Sequence, residues 1–238
     1  ALIEEDGTKY IAKFSASNDI YSVVKAEYIA MRLAKLAGLD VAPVKLTKAA
    51  NKYVLLVERF DRVASEEGWK RKSIVSALTL FALDDMMARY ASYETLAEII
   101  RHRFTKPKET LRELFSRLTF NVLCGNTDDH ARNHAAFWTG HTLTLTPAYD
   151  ICPQGRTGNE ASQAMLIAGS NKISQLATCL QAAHNFLLSQ EEAKAIFEHQ
   201  IQIIKANFDA VCAEAELTEI DKRLFWQRQF LNPYSMTL

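Results

Sequence analysis

A concentrated group of polar side chains lies in the middle of the chain. The stretch GNTDDHARNH, from Gly125 to His134, holds two carboxylates, two imidazoles and two side-chain amides, and very little that could fill a core. Side chains of these types bind metal ions, transfer protons or hydrogen-bond their own backbone in a polar turn. The rest of the sequence has to decide among these three uses.

A zinc site would use His130 and His134, which are four positions apart, as in the H-E-x-x-H motif of zinc helices. The residues between them are Ala, Arg and Asn, so the glutamate that acts as the base in that motif is absent. Gly125 and Asn126 also disfavour a helix that runs through the stretch. The spacing alone therefore makes zinc the less favoured use.

A proton-transfer and magnesium site fits the spacing better. Asp128 and Asn133 are five positions apart, as are the aspartate and asparagine of the kinase loop H-R-D-x-x-x-x-N. In that loop the aspartate orients the attacking hydroxyl and the asparagine carbonyl binds magnesium. Asp150, in PAYDI, lies 17 positions after Asn133, beyond a short predicted hairpin. Magnesium prefers oxygen ligands and commonly takes one or two carboxylates, which suits Asp150 together with Asn133.

The N-terminal sequence offers the other elements that a kinase site requires. ALIEEDGTKYIAKF predicts two strands joined at an Asp-Gly pair, and Lys13 lies late in the second strand, where kinases hold their phosphate-binding lysine. The next stretch predicts a helix ended by a glycine, with Glu27 early in it. YVLLVERF, residues 53–60, predicts a strand that is buried on both faces. Each feature alone has an ordinary structural explanation, but their order along the chain is that of a kinase.

The remaining sequence is largely helical. After Gly68 the strand signals give way to helical ones, and a clear amphipathic stripe opens near Pro107 and ends at Gly125. AAFW and LTLT predict a short hairpin around Gly140, and helical patterns later continue to about Phe230. We therefore expect a small β-rich N-terminal lobe with one helix, followed by a larger helical lobe.

Composition restricts the classes of partner. Lys plus Arg equals Asp plus Glu at 28 each, and zero net charge gives no support for nucleic acid as the main ligand. No apolar run approaches the roughly 18 residues of a membrane span. The four cysteines lie far apart without a Cys-x-x-Cys pair, which favours free thiols in a reducing cytoplasm. We expect a cytoplasmic protein that binds neither nucleic acid nor membrane directly.

GNTDDHARNH followed by LTPAYDICP resembles the HipA-type serine/threonine kinases, the toxins of type II bacterial toxin–antitoxin pairs. KAEYIAMRLAKLAGLDVAP and LLVERFDR are similar to the αC segment and the hinge segment of that family. The resemblance implies a two-lobed, protein-kinase-like α+β fold with a small β-rich N-lobe and a mostly α-helical C-lobe. We place the N-lobe at residues 1–66 with a hinge near 57–62, and the C-lobe at 67–238 with the catalytic loop at 125–133.

The resemblance also implies an activity and a role for each site residue. The activity is transfer of the γ-phosphoryl of ATP, with Mg²⁺, to a serine or threonine hydroxyl of a protein. Asp128 would be the catalytic aspartate, and Asn133 and Asp150 the magnesium ligands. Glu58 and Phe60 would give backbone contacts to adenine. The residues that contact or border the nucleotide would be Lys13, Glu27, Glu58, Phe60, His130, Arg132, Asn133 and Tyr149.

The chain also departs from the family pattern. The family carries a Gly-rich, serine-containing loop and a further N-terminal subdomain ahead of the lysine strand, and Ala1 begins about where that loop would end. Without the backbone amides of such a loop, we expect weaker nucleotide binding. The implied partners are a DNA-binding antitoxin or a separate N-terminal subunit, and the implied substrate is a translation factor or an aminoacyl-tRNA synthetase.

Two other functions stay open from the sequence. A chain without its phosphate-binding loop could be an inert module that binds a partner within a toxin–antitoxin complex. Alternatively, the polar side chains could form a metal-dependent phosphohydrolase built on Asp128, Asp129, His130 and Asp150.

Overall fold

A four-stranded antiparallel sheet and one helix form the N-terminal part of the molecule. The computed structural model describes residues 1–15, 21–156 and 158–238. Its first elements are β1 (Leu2–Glu5), β2 (Thr8–Phe14), α1 (Val23–Leu36), β3 (Val44–Ala49) and β4 (Lys52–Glu58). The strand order is β1-β2-β4-β3, so β4 lies inside the sheet, and α1 packs against β3 and β4.

These elements confirm the N-terminal predictions. Asp6 and Gly7 both have positive φ, 48° and 69°, as a tight hairpin turn requires. Helix α1 begins after Ser22 and ends just before Gly38, which has a φ of 88°. The central side chains of β4 are all buried because β4 has a neighbouring strand on each side and α1 against the sheet.

The change from strands to helices that the sequence predicted at Gly68 comes later in the structure, after Ser76. Three more strands follow β4, namely β5 (Arg62–Ser65), β6 (Gly68–Arg71) and β7 (Ile74–Ser76). β5 and β6 form their own hairpin, and its exposed sequence GWKR carries no alternation that would mark a strand. The boundary placed between residues 66 and 67 falls in the turn of this hairpin. The division into 1–66 and 67–238 remains a prediction.

Helices make up most of the C-terminal part. They are α2 (Ala77–Leu80), α3 (Tyr93–Arg103), α4 (Pro107–Cys124), α5 (Leu176–Ala182), α6 (Gln190–Glu214) and α7 (Glu219–Phe225). The predicted hairpin is confirmed as β8 (Ala135–Trp138) and β9 (Leu143–Leu145), which form a sheet with β7 in the order β7-β8-β9. Helix α4 begins and ends as predicted, and most of its side chains are buried.

The four cysteines are free thiols, as the sequence predicted, and Cys124, Cys179 and Cys212 are buried. Burial raises the pKa of Cys124 and of Cys212 to about 12, so both stay protonated at neutral pH. Among the described helices, none has the length and the apolar character needed to cross a membrane.

Gly125 ends α4 in a conformation that no other residue fits well. Its φ is 75°, and a Cβ added there would lie 2.8 Å from the backbone oxygen of Gln229. We expect Gly125→Ala to lower the free energy of unfolding by about 2 to 4 kcal/mol, because strain and a backbone clash add. Urea denaturation measures this effect. Gly140→Ala is the control, since Gly140 also has a positive φ but nothing within 4 Å. Equal losses in the two variants would contradict the assigned clash.

Candidate active site

Lys13 joins two carboxylates from distant parts of the chain. Its Nζ, on β2, lies 2.6 Å from Oε1 of Glu27 on α1 and also donates to Oδ1 of Asp150. Glu27 is buried, whereas Lys13 and Asp150 are partly exposed. The structure thus brings together three residues that the sequence analysis selected separately, as the lysine strand, the glutamate helix and the second acid.

The charges at this junction do not balance. Burial alone would lower the pKa of the Lys13 ammonium, but the carboxylates of Glu27 and Asp150 outweigh it and hold that pKa above its ordinary value. Burial raises the pKa of Glu27, and attraction to Lys13 offsets this only in part. Both pKa values are thus raised, which favours the charged form of Lys13 but the neutral form of Glu27. The 2.6 Å contact between the two fits a charge-assisted bond between charged groups, and we take both as charged. One ammonium against two carboxylates leaves net negative charge, which favours a cation beside Asp150.

Helix α1, which carries Glu27, is tied to the end of α6. The ammonium of Lys25 donates to the backbone oxygen of Glu216 at 2.5 Å, and Nε of Arg32 lies 3.0 Å from Oε2 of Glu214. Lys25 is almost fully buried, so its bond is shielded from solvent. These contacts fix the helix against the C-terminal part and thereby place Glu27 next to Lys13.

The loop that carries Asp128 begins where α4 ends. The backbone N–H of Asn126 donates to the backbone oxygen of Asn121 at 2.9 Å, and Nδ2 of Asn126 donates to Oδ1 of Asn121 at 3.0 Å. Further along, the N–H of Asn133 donates to the oxygen of His130 at 2.8 Å, and Nδ2 of Asn133 donates to the backbone oxygen of Asp128 at 3.3 Å. Since Nδ2 of Asn133 is occupied by the loop, Oδ1 is the atom of this side chain that can bind a metal.

The neighbouring carboxylate, Asp129, is buried under the loop. Its Oδ1 lies 3.0 Å from Nε2 of His134, and the hydroxyl of Tyr93 on α3 donates to its Oδ2. Burial by itself raises the pKa of Asp129, but attraction to His134 and hydrogen bonds from His134, Tyr93 and Asn121 outweigh it and lower that pKa below its ordinary value. Asp129 therefore anchors the loop, whereas the side chain of Asp128 is exposed.

Asp150 lies in a segment that is held on both sides. The N–H of Ala148 donates to the oxygen of Asp40 at 2.8 Å, and the N–H of Gln154 donates to the oxygen of Gly125 at 3.0 Å. Between these points Asp150 has a φ of 61°, in the left-handed region that non-glycine residues rarely adopt. Such a conformation persists only where the surroundings enforce it, and it is common at functional sites.

Two cavities meet at Lys13 and Asp150, which line both. The larger, of about 390 Å³, is mainly apolar, and its walls include Ile11, Val57, Phe60, Ile74 and Tyr149. The smaller, of about 260 Å³, is polar, and its walls include Glu27, Asp128, Asn133 and Asp150. Together they form a cleft that can hold a flat apolar group beside a charged, oxygen-rich one.

The backbone around Glu58 offers one acceptor to the apolar cavity. The N–H of Glu58 donates to the oxygen of Pro43 at 2.9 Å, and the N–H of Arg59 donates to Lys9 at 2.8 Å. In an antiparallel ladder Pro43 would return a hydrogen bond to the carbonyl of Glu58, but proline has no N–H. The β3–β4 ladder therefore gives the Glu58 carbonyl no N–H donor, and Glu58 lines the apolar cavity.

Sequence reasoning did not find the residues that hold this connection between the lobes. Asp61 is buried and accepts two bonds of 2.6 Å from the guanidinium of Arg59, and Arg62 also donates to it. These bonds hold the pKa of Asp61 below its ordinary value, against the opposing effect of burial. Phe60 lies between Phe137 and Tyr149, at ring distances of 5.9 and 5.7 Å. The one sequence feature that could have predicted this cluster of Arg59, Asp61 and Arg62 is the alternation of charges in ERFDR, residues 58–62.

His130 and Arg132 lie outside the walls of the two cavities, as far as the described residues define them. Arg132 forms an exposed ion pair with Asp85 at 2.6 Å, and its backbone oxygen accepts a bond of 2.7 Å from the hydroxyl of Tyr149. Nδ1 of His130 is buried without a hydrogen-bond partner among the described residues. A contact of either side chain with a nucleotide therefore stays a prediction.

The site's oxygen donors suit magnesium. Asp150 and Oδ1 of Asn133 are hard oxygen ligands of the type that magnesium takes from a protein. Across residues 1–15, 21–156 and 158–238, no group of three or more His, Cys, Asp and Glu side chains could hold a metal ion. The donor set therefore fits a metal held by one carboxylate and an amide, with other ligands from elsewhere.

A small β-rich lobe, a larger helical lobe and a lysine-bearing cleft between them define a kinase-like fold. Two solved structures share it. The toxin HipA of Shewanella oneidensis MR-1, solved with HipB and operator DNA, is 21% identical with a TM-score of 0.76, over 95% of this chain and 60% of that one. The Helicobacter pylori proinflammatory kinase CtkA is 16% identical with a TM-score of 0.59, over 90% and 93%. The predicted fold class is confirmed.

The model of the HipA-like C-terminal domain family matches residues 1–208, and the chain belongs to this family. This confirms the resemblance drawn from the sequence. A curated relative, the serine/threonine-protein kinase toxin HipA of Shewanella oneidensis, is 27% identical over 158 residues, which are 60% of this chain and 36% of the relative. The match thus spans about a third of that relative's length.

Proposed function

We propose that this chain transfers the γ-phosphoryl of ATP to a serine or threonine hydroxyl of a protein. One observation supports the proposal most: five side chains from four segments of the chain line one cavity and include the residue types that phosphoryl transfer uses. They are Lys13, Glu27, Asp128, Asn133 and Asp150. The name of one curated relative supports the same class of activity, since that protein is a serine/threonine-protein kinase toxin.

The cleft divides the nucleotide between its two cavities. The adenine ring enters the apolar cavity, where Phe60 and Tyr149 pack on it and the carbonyl of Glu58 accepts from its amino group. The phosphates enter the polar cavity, where the ammonium of Lys13 binds them. Glu27 keeps that ammonium in place through its 2.6 Å contact. Lys13 would exchange its bond to Asp150 for a phosphate oxygen.

Asp128 and the metal ligands complete the mechanism. The exposed carboxylate of Asp128 accepts a hydrogen bond from the substrate hydroxyl and aligns it with the γ-phosphorus. Asn133 and Asp150 would hold magnesium, which neutralises phosphate charge when bound. The transition state of this transfer is loose, so alignment and charge neutralisation provide most of the acceleration. Asp129 keeps the loop in the position that Asp128 needs.

The partners follow from the relatives and are part of the proposal. The matched HipA structure contains HipB and operator DNA, and we propose a corresponding DNA-binding antitoxin as a partner of this chain. We propose the reducing cytoplasm as its compartment, in keeping with four free cysteines. An inert partner-binding module and a metal-dependent phosphohydrolase are the competing functions, and the next experiment separates them.

Mg-ATP is expected to raise the melting temperature of the chain, and Asp150→Asn to remove most of that rise. A ligand at 100 times its Kd adds about 2.7 kcal/mol, which corresponds to roughly 5 to 10 °C in a chain of this size. Replacing the carboxylate removes the negative charge on which metal-dependent binding depends. Differential scanning fluorimetry with and without Mg-ATP measures both shifts.

Asp209→Asn is the matched control, because Asp209 is 81% exposed and pairs with Lys222, and neither residue lines the two cavities of the cleft. It should keep the full shift. An equal shift in Asp150→Asn would remove Asp150 from the site. No shift in the unmodified chain would favour the inert module, and a tightly bound transition metal in the purified protein would favour the phosphohydrolase.

A further inference from the structure

A second groove lies beside the cleft, between α7 and the segment that follows Asp150. It has a volume of about 410 Å³. Its floor is apolar and aromatic, with the rings of Tyr21 and Phe225 in an edge contact at 5.4 Å. Two guanidinium groups, of Arg156 and Arg228, line the same groove. The groove thus combines an apolar floor with two positive charges.

Neither guanidinium has an acidic partner in the described part of the chain. Arg156 donates to the hydroxyl of Ser235 at 3.1 Å and to the backbone oxygen of Asn159 at 3.0 Å, which are neutral acceptors. Its Nε is buried with no acceptor among the described residues. Burial lowers the pKa of Arg156, since no carboxylate compensates. By contrast, Arg32 is paired with Glu214, and Arg59 is paired with Asp61.

The groove begins where the polar cavity of the cleft ends. Gly155 lines the groove and Gln154 lines the cavity, and consecutive Cα atoms are about 3.8 Å apart. Gln229, on the groove wall, donates from Nε2 to the backbone oxygen of Gln154 at 3.2 Å. Its backbone also packs against Gly125, the first residue of the loop that carries Asp128. A peptide with its hydroxyl at Asp128 would therefore place residues a few positions away in the groove.

We propose that this groove binds acidic side chains of the protein substrate, close to the residue that is phosphorylated. The inference rests on the proposed function and adds the chemical class of the segment that is recognised. Guanidinium groups form strong, often bidentate bonds with carboxylates, and two of them in one groove select against basic segments by repulsion. The apolar floor accommodates the aliphatic parts of the side chains in the same segment.

Peptide binding tests the groove without depending on catalysis. The probe is a fluorescent peptide with one serine flanked by aspartates and glutamates, and its comparison peptide carries lysines at those positions. Fluorescence anisotropy should show binding of the acidic peptide only. Arg156→Gln with Arg228→Gln should weaken it by about 10- to 100-fold, because the complex then loses the charge-assisted contacts of both guanidinium groups. Arg228→Gln alone should give part of the loss, and Arg228 is exposed, so this variant should fold.

Arg103→Gln is the matched control, because it removes an exposed positive charge at the end of α3. It should bind the acidic peptide as the unmodified chain does. Equal binding of both peptides, or no loss in the double variant, would overturn the inference. Displacement of the peptide by inorganic phosphate at equal concentration would also overturn it, because the groove would then accept any small anion. A Mg-ATP shift without peptide binding would leave the proposed function intact and remove only this inference.

Discussion

Replacing Asp128 by alanine is expected to slow phosphoryl transfer by about 10²- to 10⁴-fold, the usual contribution of a positioned proton acceptor. The same change should leave the stability of the fold unaltered. The side chain of Asp128 is exposed, and the loop uses only its backbone oxygen, as the acceptor for Nδ2 of Asn133. Alanine keeps that backbone oxygen, so the rate of phosphoryl transfer should fall while the stability of the fold stays the same.

Transfer of radiolabel from γ-labelled ATP to casein and to the chain itself measures this effect, with a thermal melt on the same sample. Asp209→Asn is the control, since Asp209 is 81% exposed and pairs with Lys222 on the helical lobe. The Mg-ATP shift should persist in Asp128→Ala, because phosphate and metal binding rest on other residues. Undiminished turnover in Asp128→Ala would end the assignment of this residue.

The residues of the cleft that the sequence predicted are those with local signals. Asp128 and Asn133 have a fixed spacing within one loop, and Lys13 and Glu27 each lie in an element whose periodicity is plain. Asp150 could be predicted because a short hairpin separates it from the loop. The structure brings these five side chains to one cleft, although their roles remain proposals.

What the sequence could not predict depends on contacts between distant segments. Strand β7 is three residues long and pairs with β8, so nothing in its own sequence marks it. That the β3–β4 ladder gives the carbonyl of Glu58 no donor follows from Pro43 across the sheet, which only the register reveals. Tyr93 meets Asp129 from 36 positions away. That the described residues give Arg156 neutral acceptors and no carboxylate is likewise visible only in the folded chain.

Replacing the two adjacent aspartates should therefore have different effects, because Asp128 serves turnover and Asp129 serves the stability of the fold. Asp129→Ala is expected to lower the free energy of unfolding by about 2 to 6 kcal/mol, because each of two buried polar groups left without its acceptor costs about 1 to 3 kcal/mol. It leaves His134 and the hydroxyl of Tyr93 buried without their carboxylate. Tyr93→Phe removes one hydrogen bond to a charged group and should cost about 1.5 to 3 kcal/mol. Urea denaturation at neutral pH measures both losses.

Low pH should reduce the contribution of Asp129 to the free energy of unfolding. Hydrogen bonds and attraction to His134 hold its pKa below the ordinary value of 3.8 in the folded chain. A lowered pKa contributes stability that is present above the unfolded value and is lost as pH falls through the folded one. The difference in stability between the unmodified chain and Asp129→Asn should therefore be constant near neutral pH and shrink below about pH 3.8.

Asp128→Ala is the matched control for Asp129→Ala, because the two residues are adjacent and lose the same group. The first variant should unfold at the same urea concentration as the unmodified chain and lack turnover, whereas the second should unfold much earlier. Similar stability losses in both variants would contradict the assignment of Asp129 as the anchor of the loop. Such a result would mean that the loop draws its stability from backbone bonds, such as the one from Asn126 to Asn121, and not from the buried carboxylate.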